Sequence, residues 1–387
     1  MYLTHVQLKN WRNFKQTAPV NLRDKVYLLG ANAVGKSNFL DVFRFLRDIT
    51  KESGGGIQRA VSERGGMKML RCLHARNDSE VSIEVGLSES LDAPEKWRYH
   101  LAFKGEGKDS QRVLVTAEQV LLHGQSRPVL SRPDAGDKRD PERLTQTHIE
   151  QINTNTNFRE VATFFQSVTY LHLVPQLLKY GNRIGGHQLE DDPFGQGFLD
   201  KVACAPERVR NSRLKKIQKV LAHAIPQFSD LKFELDKGGK PHLLGRYEHY
   251  RPHAGWTREE HFSDGTLRLI SLLWLLLDGE SLLLLEEPEL SLDDKIVSQI
   301  PNLLHKAEMA GKRKPRQTFI STHSYALLNN ESIDARGILW LKPTSEGTEI
   351  RTPSEHELAQ IRAGLTPADV FLPKVAARLN DQQLSFI

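Results

Sequence analysis

The chain has 387 residues, of which 39% are hydrophobic and 26% charged; that balance excludes a disordered chain and fits one large or two ordinary folded domains. Its 53 Lys and Arg against 48 Asp and Glu leave a net charge of +5, too small an excess to argue by itself for a nucleic-acid partner. Its two cysteines, Cys72 and Cys204, lie far apart, which excludes a disulfide framework and a cysteine-based zinc site and fits a reducing cytoplasm.

Residues 2–9 alternate apolar and polar, which predicts a strand and not a signal peptide. A turn follows over Asn10–Lys15, then a second strand, Lys25–Leu29, that runs into a glycine loop. Ser37 to Ile49 has helical spacing. Residues 51–66, with their paired and tripled glycines, predict loop. Between 80 and 123 the alternation predicts an antiparallel sheet, and 124–142 reads as an exposed loop. Residues 143–230 predict mainly helices, interrupted at 181–197, and 231–255 short strands. From 262 onward a helix (265–277), a strand (281–285), a helix (293–309), a strand (317–321), another helix and a strand (337–342) follow in order. That alternation predicts a mostly parallel sheet with helices on its faces. The longest apolar stretch, Leu269–Leu277, falls well short of the roughly 20 residues a bilayer span needs, so no membrane segment is expected.

Gly30-Ala-Asn32-Ala-Val-Gly35-Lys36-Ser37 matches the phosphate-binding loop in full, between a strand and a helix as that chemistry requires. Its glycines let backbone N–H groups wrap a phosphate, Lys36 supplies positive charge, and the Ser37 hydroxyl suits Mg²⁺. The following Asn38 belongs to the same nucleotide-binding set. Leu282–Leu285 predicts a buried strand that ends in Glu286 and Glu287. At that end Glu286 is placed to hold Mg²⁺ and Glu287 to polarise an attacking water. His323, after the apolar strand Gln317–Ile320, is placed to reach the γ-phosphate and the same water, although a lone histidine is more often structural. Ser263-Asp264-Gly265-Thr266 precedes an apolar helix, and on local sequence alone it reads as a helix cap.

Together, Gly30–Ser37, Phe262–Thr266, Leu282–Pro288, Ser291-Leu292-Asp293 and His323 resemble, in order and spacing, the ABC-type P-loop ATPases. The opening HVQLKNWRNFK resembles the RecF/SMC/OLD-like branch, and stretches such as YLHLVPQ (170–176) and DPFGQGFLDKVA (192–203) are similar to bacterial stand-alone predicted ATPases of the kind found in phage-defence systems. The resemblance implies an α/β fold: an ABC-type head with a mixed sheet, built from residues 1–50 with 256–387, a loop and β-rich lobe over 51–142, and a mainly helical insertion lobe over 143–255. It implies Mg²⁺-dependent ATP hydrolysis by a cytoplasmic homo-oligomer, at least an ATP-dependent dimer. In that dimer Ser263, Asp264, Gly265 and Thr266 form the signature that meets the γ-phosphate in the opposite chain, with Asp293 coupling the two sites. Asp264 and Thr266 depart from the usual Leu-Ser-Gly-Gly-Gln signature, and a carboxylate facing a phosphate would repel it unless it turns away or bonds backbone. Gln58 and Gln176 are the candidates for a Mg²⁺-sensing glutamine. OLD-like relatives carry a fused Toprim nuclease; too few residues follow the last predicted strand here, which implies an effector acting in trans. The alternative is a RecF-like ATPase working directly on DNA, touched by the basic clusters Arg208, Arg210, Arg213, Lys215, Lys216 or Lys312, Arg313, Lys314, Arg316.

Overall fold

The computed structural model describes residues 1–76, 78–107, 112–184, 192–225, 227–248, 255–279, 281–309 and 315–375. A six-stranded mixed sheet forms the floor of the molecule. Its order is Gly347–Arg351, Ile338–Thr344, Lys25–Leu29, Thr318–Ser321, Leu283–Glu286, Thr169–Leu171. The last five strands run parallel and only Gly347–Arg351 is antiparallel. Strands distant in sequence are thus neighbours, and the C-terminal ends that carry the loop, the carboxylates and the histidine line up along one edge.

Successive strand residues point to opposite faces. Val26, Leu28, Leu284, Phe319 and Leu339 therefore join one core, while Tyr27, Leu29, Leu283, Leu285 and Ile320 join a second one beneath. The first core contains the helix Lys36–Thr50, clamped against an antiparallel sheet that includes Tyr2–Trp11, Val81–Ser88, Glu95–Gly105 and Val113–Leu122. A chain of aromatic contacts crosses it: Phe103 to Phe45 at 5.4 Å, Phe45 to Trp11 at 5.1 Å, and Phe39 to Phe43 to Phe319 at 5.6 and 5.2 Å. The helix is thus buried on nearly every side and cannot shift without disturbing both sheets. No helix among the described residues is long and apolar enough to cross a membrane.

The structure departs from the sequence expectations in several places. Tyr2–Trp11, grouped with the head over 1–50, pairs with Val81–Ser88 of the 51–142 stretch in the antiparallel sheet. Thr169–Leu171, within a stretch expected to be helical, supplies the edge strand of the parallel sheet. Residues 51–66 include a helix, Ile57–Ser62, after which Arg64 bridges Asp41 at 2.9 Å and Asp48 at 2.8 Å on the clamped helix. The stretch 124–142 holds the strand Leu130–Arg132 and two charged side chains with no exposure, Arg132 and Asp137. The helix expected over 293–309 is two, Asp294–Val297 and Ile300–Met309; Pro301 fits the first turn of the second, where no N–H is needed.

Candidate nucleotide site

The loop between Leu29 and Lys36 is shaped by close backbone approach. Gly35 has φ of 106°, and a Cβ there would fall 2.1 Å from Asn13 Nδ2, so only glycine fits. Asn13 braces the loop from outside. It donates to the Val34 carbonyl at 2.6 Å and to Thr348 Oγ1 at 2.7 Å, and accepts from Asn38 Nδ2 at 2.7 Å. Thr348 also donates to the Val34 carbonyl, at 2.8 Å. The brace joins the first turn of the chain to the last hairpin of the sheet.

Lys36 is buried, with Nζ folded onto the carbonyls of Gly30 at 2.9 Å and Ala31 at 3.2 Å. Burial lowers its pKa, opposed by the nearby charges of Glu287, Glu289 and Glu286. Asn32, Gly35, Lys36, Ser37 and Asn38 line a cleft of about 370 Å³ together with Glu287. The expected loop residues and the expected water-polarising carboxylate therefore share one space.

Glu286, at the end of its strand, accepts from the Ser37 hydroxyl on Oε1. On Oε2 it accepts from the hydroxyl of Tyr170, a residue the sequence reading did not single out. Glu287 has a left-handed backbone, φ 43°, held by its own N–H on the Ser321 carbonyl at 3.0 Å and by Arg268 Nη2 on its carbonyl at 2.8 Å. This turn swings the side chain off the strand direction toward His323, whose Nδ1 lies 3.4 Å from Glu287 Oε1. Beneath the histidine sits a third carboxylate, the buried Glu289. It accepts from Thr322 Oγ1 at 2.6 Å and from the His323 backbone N–H at 3.2 Å, fixing the turn that presents the imidazole.

Ser263 caps the helix Asp264–Leu276, accepting from the Thr266 N–H at 3.1 Å. The Asp264 carboxylate pairs with Lys179 Nζ at 2.5 Å and accepts from Gln176 Nε2 at 3.2 Å. Gly265 packs on the next loop: a Cβ there would meet the Ser291 carbonyl at 2.6 Å. Asp293 caps the short helix Asp294–Val297 through the Lys295 N–H.

Gln58 is excluded as a metal-sensing residue. Its amide is spent on the carbonyls of Val113 and Thr145, at 2.7 and 2.6 Å, inside the antiparallel lobe. Gln176 instead follows the edge strand beside Leu283–Glu286. The basic clusters are partly structural. Arg316 is buried and donates to the carbonyls of Ser281, Leu275 and Asp278. Arg210 lies 4.2 Å over the Phe233 ring, and Arg213 pairs with Asp278 at 2.9 Å. Arg208, Lys215 and Lys216 are exposed, while Lys312, Arg313 and Lys314 lie outside the described residues.

The donor set fits Mg²⁺: a hydroxyl and a carboxylate, both hard oxygen ligands, meet directly at Ser37 and Glu286 beside a phosphate loop.

Residues 26–329 match the family described as "AAA domain, putative AbiEii toxin, Type IV TA system", and the chain belongs to that family. No curated protein sequence matches it. Among solved structures it is similar to an SMC head bound to the C-winged-helix domain of ScpA, with a TM-score of 0.58 at 14% identity over 92% of this chain and 100% of that one. It also matches the SMC head domain from Thermotoga maritima (0.47, 15%, 92% and 100%) and the Smc head domain with an extended coiled coil bound to the C-terminal domain of ScpA derived from Pyrococcus furiosus (0.49, 10%, 94% and 98%). The first of these carries the fold: an ABC-type P-loop head of the SMC kind. The chain is therefore an AAA-domain protein of that family with the fold of an SMC head.

Proposed function

We propose that the protein binds ATP in the cleft over Gly30–Asn38 and hydrolyses it with Glu287, and that two copies close around the nucleotide. The observation that carries this reading is the cleft that Lys36, Ser37 and Glu287 line together, with Ser37 bonded to Glu286 and Glu287 3.4 Å from the His323 imidazole. Backbone N–H groups of the loop and the positive end of the helix Lys36–Thr50 receive the phosphates, with Lys36 turning from its two carbonyls onto them. Ser37 and Glu286 would hold Mg²⁺, which would supply charge neutralisation at the phosphate oxygens. Glu287 accepts the proton of the attacking water, and His323 orients that water against the γ-phosphate.

Closure between copies is supported by the state of the signature segment. Lys179 pairs with Asp264 and Gln176 donates to it, which offsets its charge at the positive end of the helix that carries Ser263, Gly265 and Thr266. A second copy's γ-phosphate suits that end, and Asp293 would lie at the same junction. Binding that closes the pair and hydrolysis that reopens it convert bond energy to conformational change.

For its use, we favour the sensor ATPase of a bacterial anti-phage system with a separate effector, such as a Toprim-type nuclease. The support is the sequence resemblance to defence ATPases together with a family description that names a toxin of a toxin–antitoxin system. A RecF-like role on DNA is the second reading, favoured by the exposed Arg208, Lys215 and Lys216 on one helix. A co-purifying nuclease supports the first; ATP-dependent, structure-selective DNA binding by the lone protein supports the second.

The test of the chemistry is steady-state phosphate release with nucleotide binding measured alongside. Lys36→Ala is expected to lose ATP binding. Glu287→Gln is expected to keep it and to slow turnover by about 10²- to 10⁴-fold. Normal turnover by Glu287→Gln contradicts the assigned base.

A further inference from the structure

The first of the two strand-end carboxylates is a glutamate, one methylene longer than an aspartate and with one more rotatable bond to fix. A ligand that supplies one oxygen to a small, geometrically demanding ion needs its other oxygen held. In this chain that hold comes from the edge strand. Tyr170 stands opposite Leu284 in the parallel register, so Glu286, two residues on, projects from the same face one diagonal step away. A phenol is long enough to cover that diagonal, and its hydroxyl donates to Glu286 Oε2 while Ser37 donates to Oε1.

The tyrosine is itself fixed. It is 7% exposed, and the Arg44 guanidinium lies 4.0 Å over its ring centroid. Ser37, Asp41 and Arg44 are spaced i, i+4, i+7 and share one face of the clamped helix. Arg44 Nη1 lies 3.8 Å from Asp41 Oδ1, and its Nε is buried with no hydrogen-bond partner, so the guanidinium is held by the ring and the carboxylate and not by a fork of its own. A closed circuit results. The helix grips Glu286 directly through Ser37 and, through Arg44, grips the tyrosine that grips its other oxygen.

We propose that Tyr170, seated under Arg44, is a positioning residue for the metal-binding carboxylate: it holds one oxygen of Glu286 so that the other stays aimed at the Ser37 hydroxyl and the ion they share. The proposal rests on the nucleotide site assigned above. It gives the edge strand Thr169–Leu171 a part in metal affinity, where a purely architectural strand has none.

The test uses the full chain saturated with a non-hydrolysable ATP analogue, titrated with Mn²⁺ and followed by electron paramagnetic resonance. The affinity for the same analogue in EDTA and the melting temperature are measured in parallel. Tyr170→Phe keeps the ring and its packing. It is expected to weaken Mn²⁺ binding by roughly 10- to 100-fold and to leave analogue affinity in EDTA within about twofold. In a Glu286→Asp background, whose carboxylate is one methylene shorter and is expected to fall short of the phenol, adding Tyr170→Phe is expected to change Mn²⁺ affinity by less than about twofold. Arg44→Met, a second variant that keeps the stem and removes the cation, is expected to act in the same direction but less strongly. Wild-type Mn²⁺ affinity in a well-folded Tyr170→Phe, or an equal loss in the Glu286→Asp background, overturns the proposal and leaves the nucleotide site standing. Failure of the unaltered protein to bind the analogue at all overturns the nucleotide site, and the positioning role with it.

Discussion

The antiparallel lobe and the nucleotide cleft gather the same kinds of side chain and treat them in opposite ways. In the lobe, Arg132 pairs with Asp137 through two bonds of 3.0 Å and with Glu118 at 3.1 Å, and all three side chains are fully buried. Every remaining valence is closed: Arg132 also donates to the carbonyls of Gln146 and Arg143, and Glu118 accepts from the backbone of His148 and Ile149. Burial, the largest single influence, raises the Asp137 pKa, but the bond and charge of Arg132, the Asp134 backbone bond and the charge of Arg143 together outweigh it and bring the group down to about 2. In the cleft, Glu287 and His323 are a quarter and a half exposed, and Lys36 rests on two carbonyls that a phosphate can replace. A closed network holds a fold together. A binding site must keep its charges partly open, and the bracing then comes from neighbours that never touch the ligand, here Asn13, Thr348, Glu289 and Tyr170.

The largest difference between the two regions is expected at Arg132. Arg132→Met leaves two buried carboxylates without their cation, and we expect a loss of about 3–5 kcal/mol of stability by urea unfolding. ATP affinity per folded molecule should stay as in the unaltered protein. A loss of nucleotide affinity with no loss of stability would show that the lobe and the cleft are one network after all.

A smaller effect sharpens it. His5, on the first strand of the lobe, lies 3.5 Å from Glu84 and 3.0 Å from Glu95, and these bonds, the one to Glu84 foremost, raise its pKa from 6.5 to about 9. A raised histidine stabilises the fold fully below pH 6.5, and that contribution fades as pH rises through about 9. Thermal stability should therefore decline from pH 6.5 to 9, less steeply in His5→Gln, by a few degrees at most. An identical pH profile in the two proteins would remove His5 from the account. The cleft, with its open charges, should show the greater dependence on salt and nucleotide and the lesser effect on unfolding.

What could be read from the sequence follows the same division. The phosphate loop, the Glu286-Glu287 pair and His323 are short contiguous signals whose flanking strand and helix patterns are crisp, and the structure brings them into one cleft or to its edge. The bracing residues reach it from far along the chain. Tyr170 meets Glu286 across 116 positions and Thr348 meets Asn13 across 335, and no local pattern announces such pairs. Charged residues also misled the reading of 124–142. Arg132 and Asp137, among prolines and glycines, look like an exposed loop until the pairing that permits their burial is known. Asp264 looked like a repulsive element for the same reason, because Lys179 pairs with it and Gln176 donates to it from a helix 85 and 88 positions away.

The central claim is that nucleotide is clamped between two copies of this chain. The most direct measurement is the mass in solution of the Glu287→Gln protein with and without ATP and Mg²⁺, repeated with Ser263→Arg added. The account predicts a dimer that forms or tightens with ATP and is lost in the double variant. A mass indifferent to ATP, in protein that demonstrably binds it, would contradict the clamp and leave the Ser263–Thr266 segment as a helix cap.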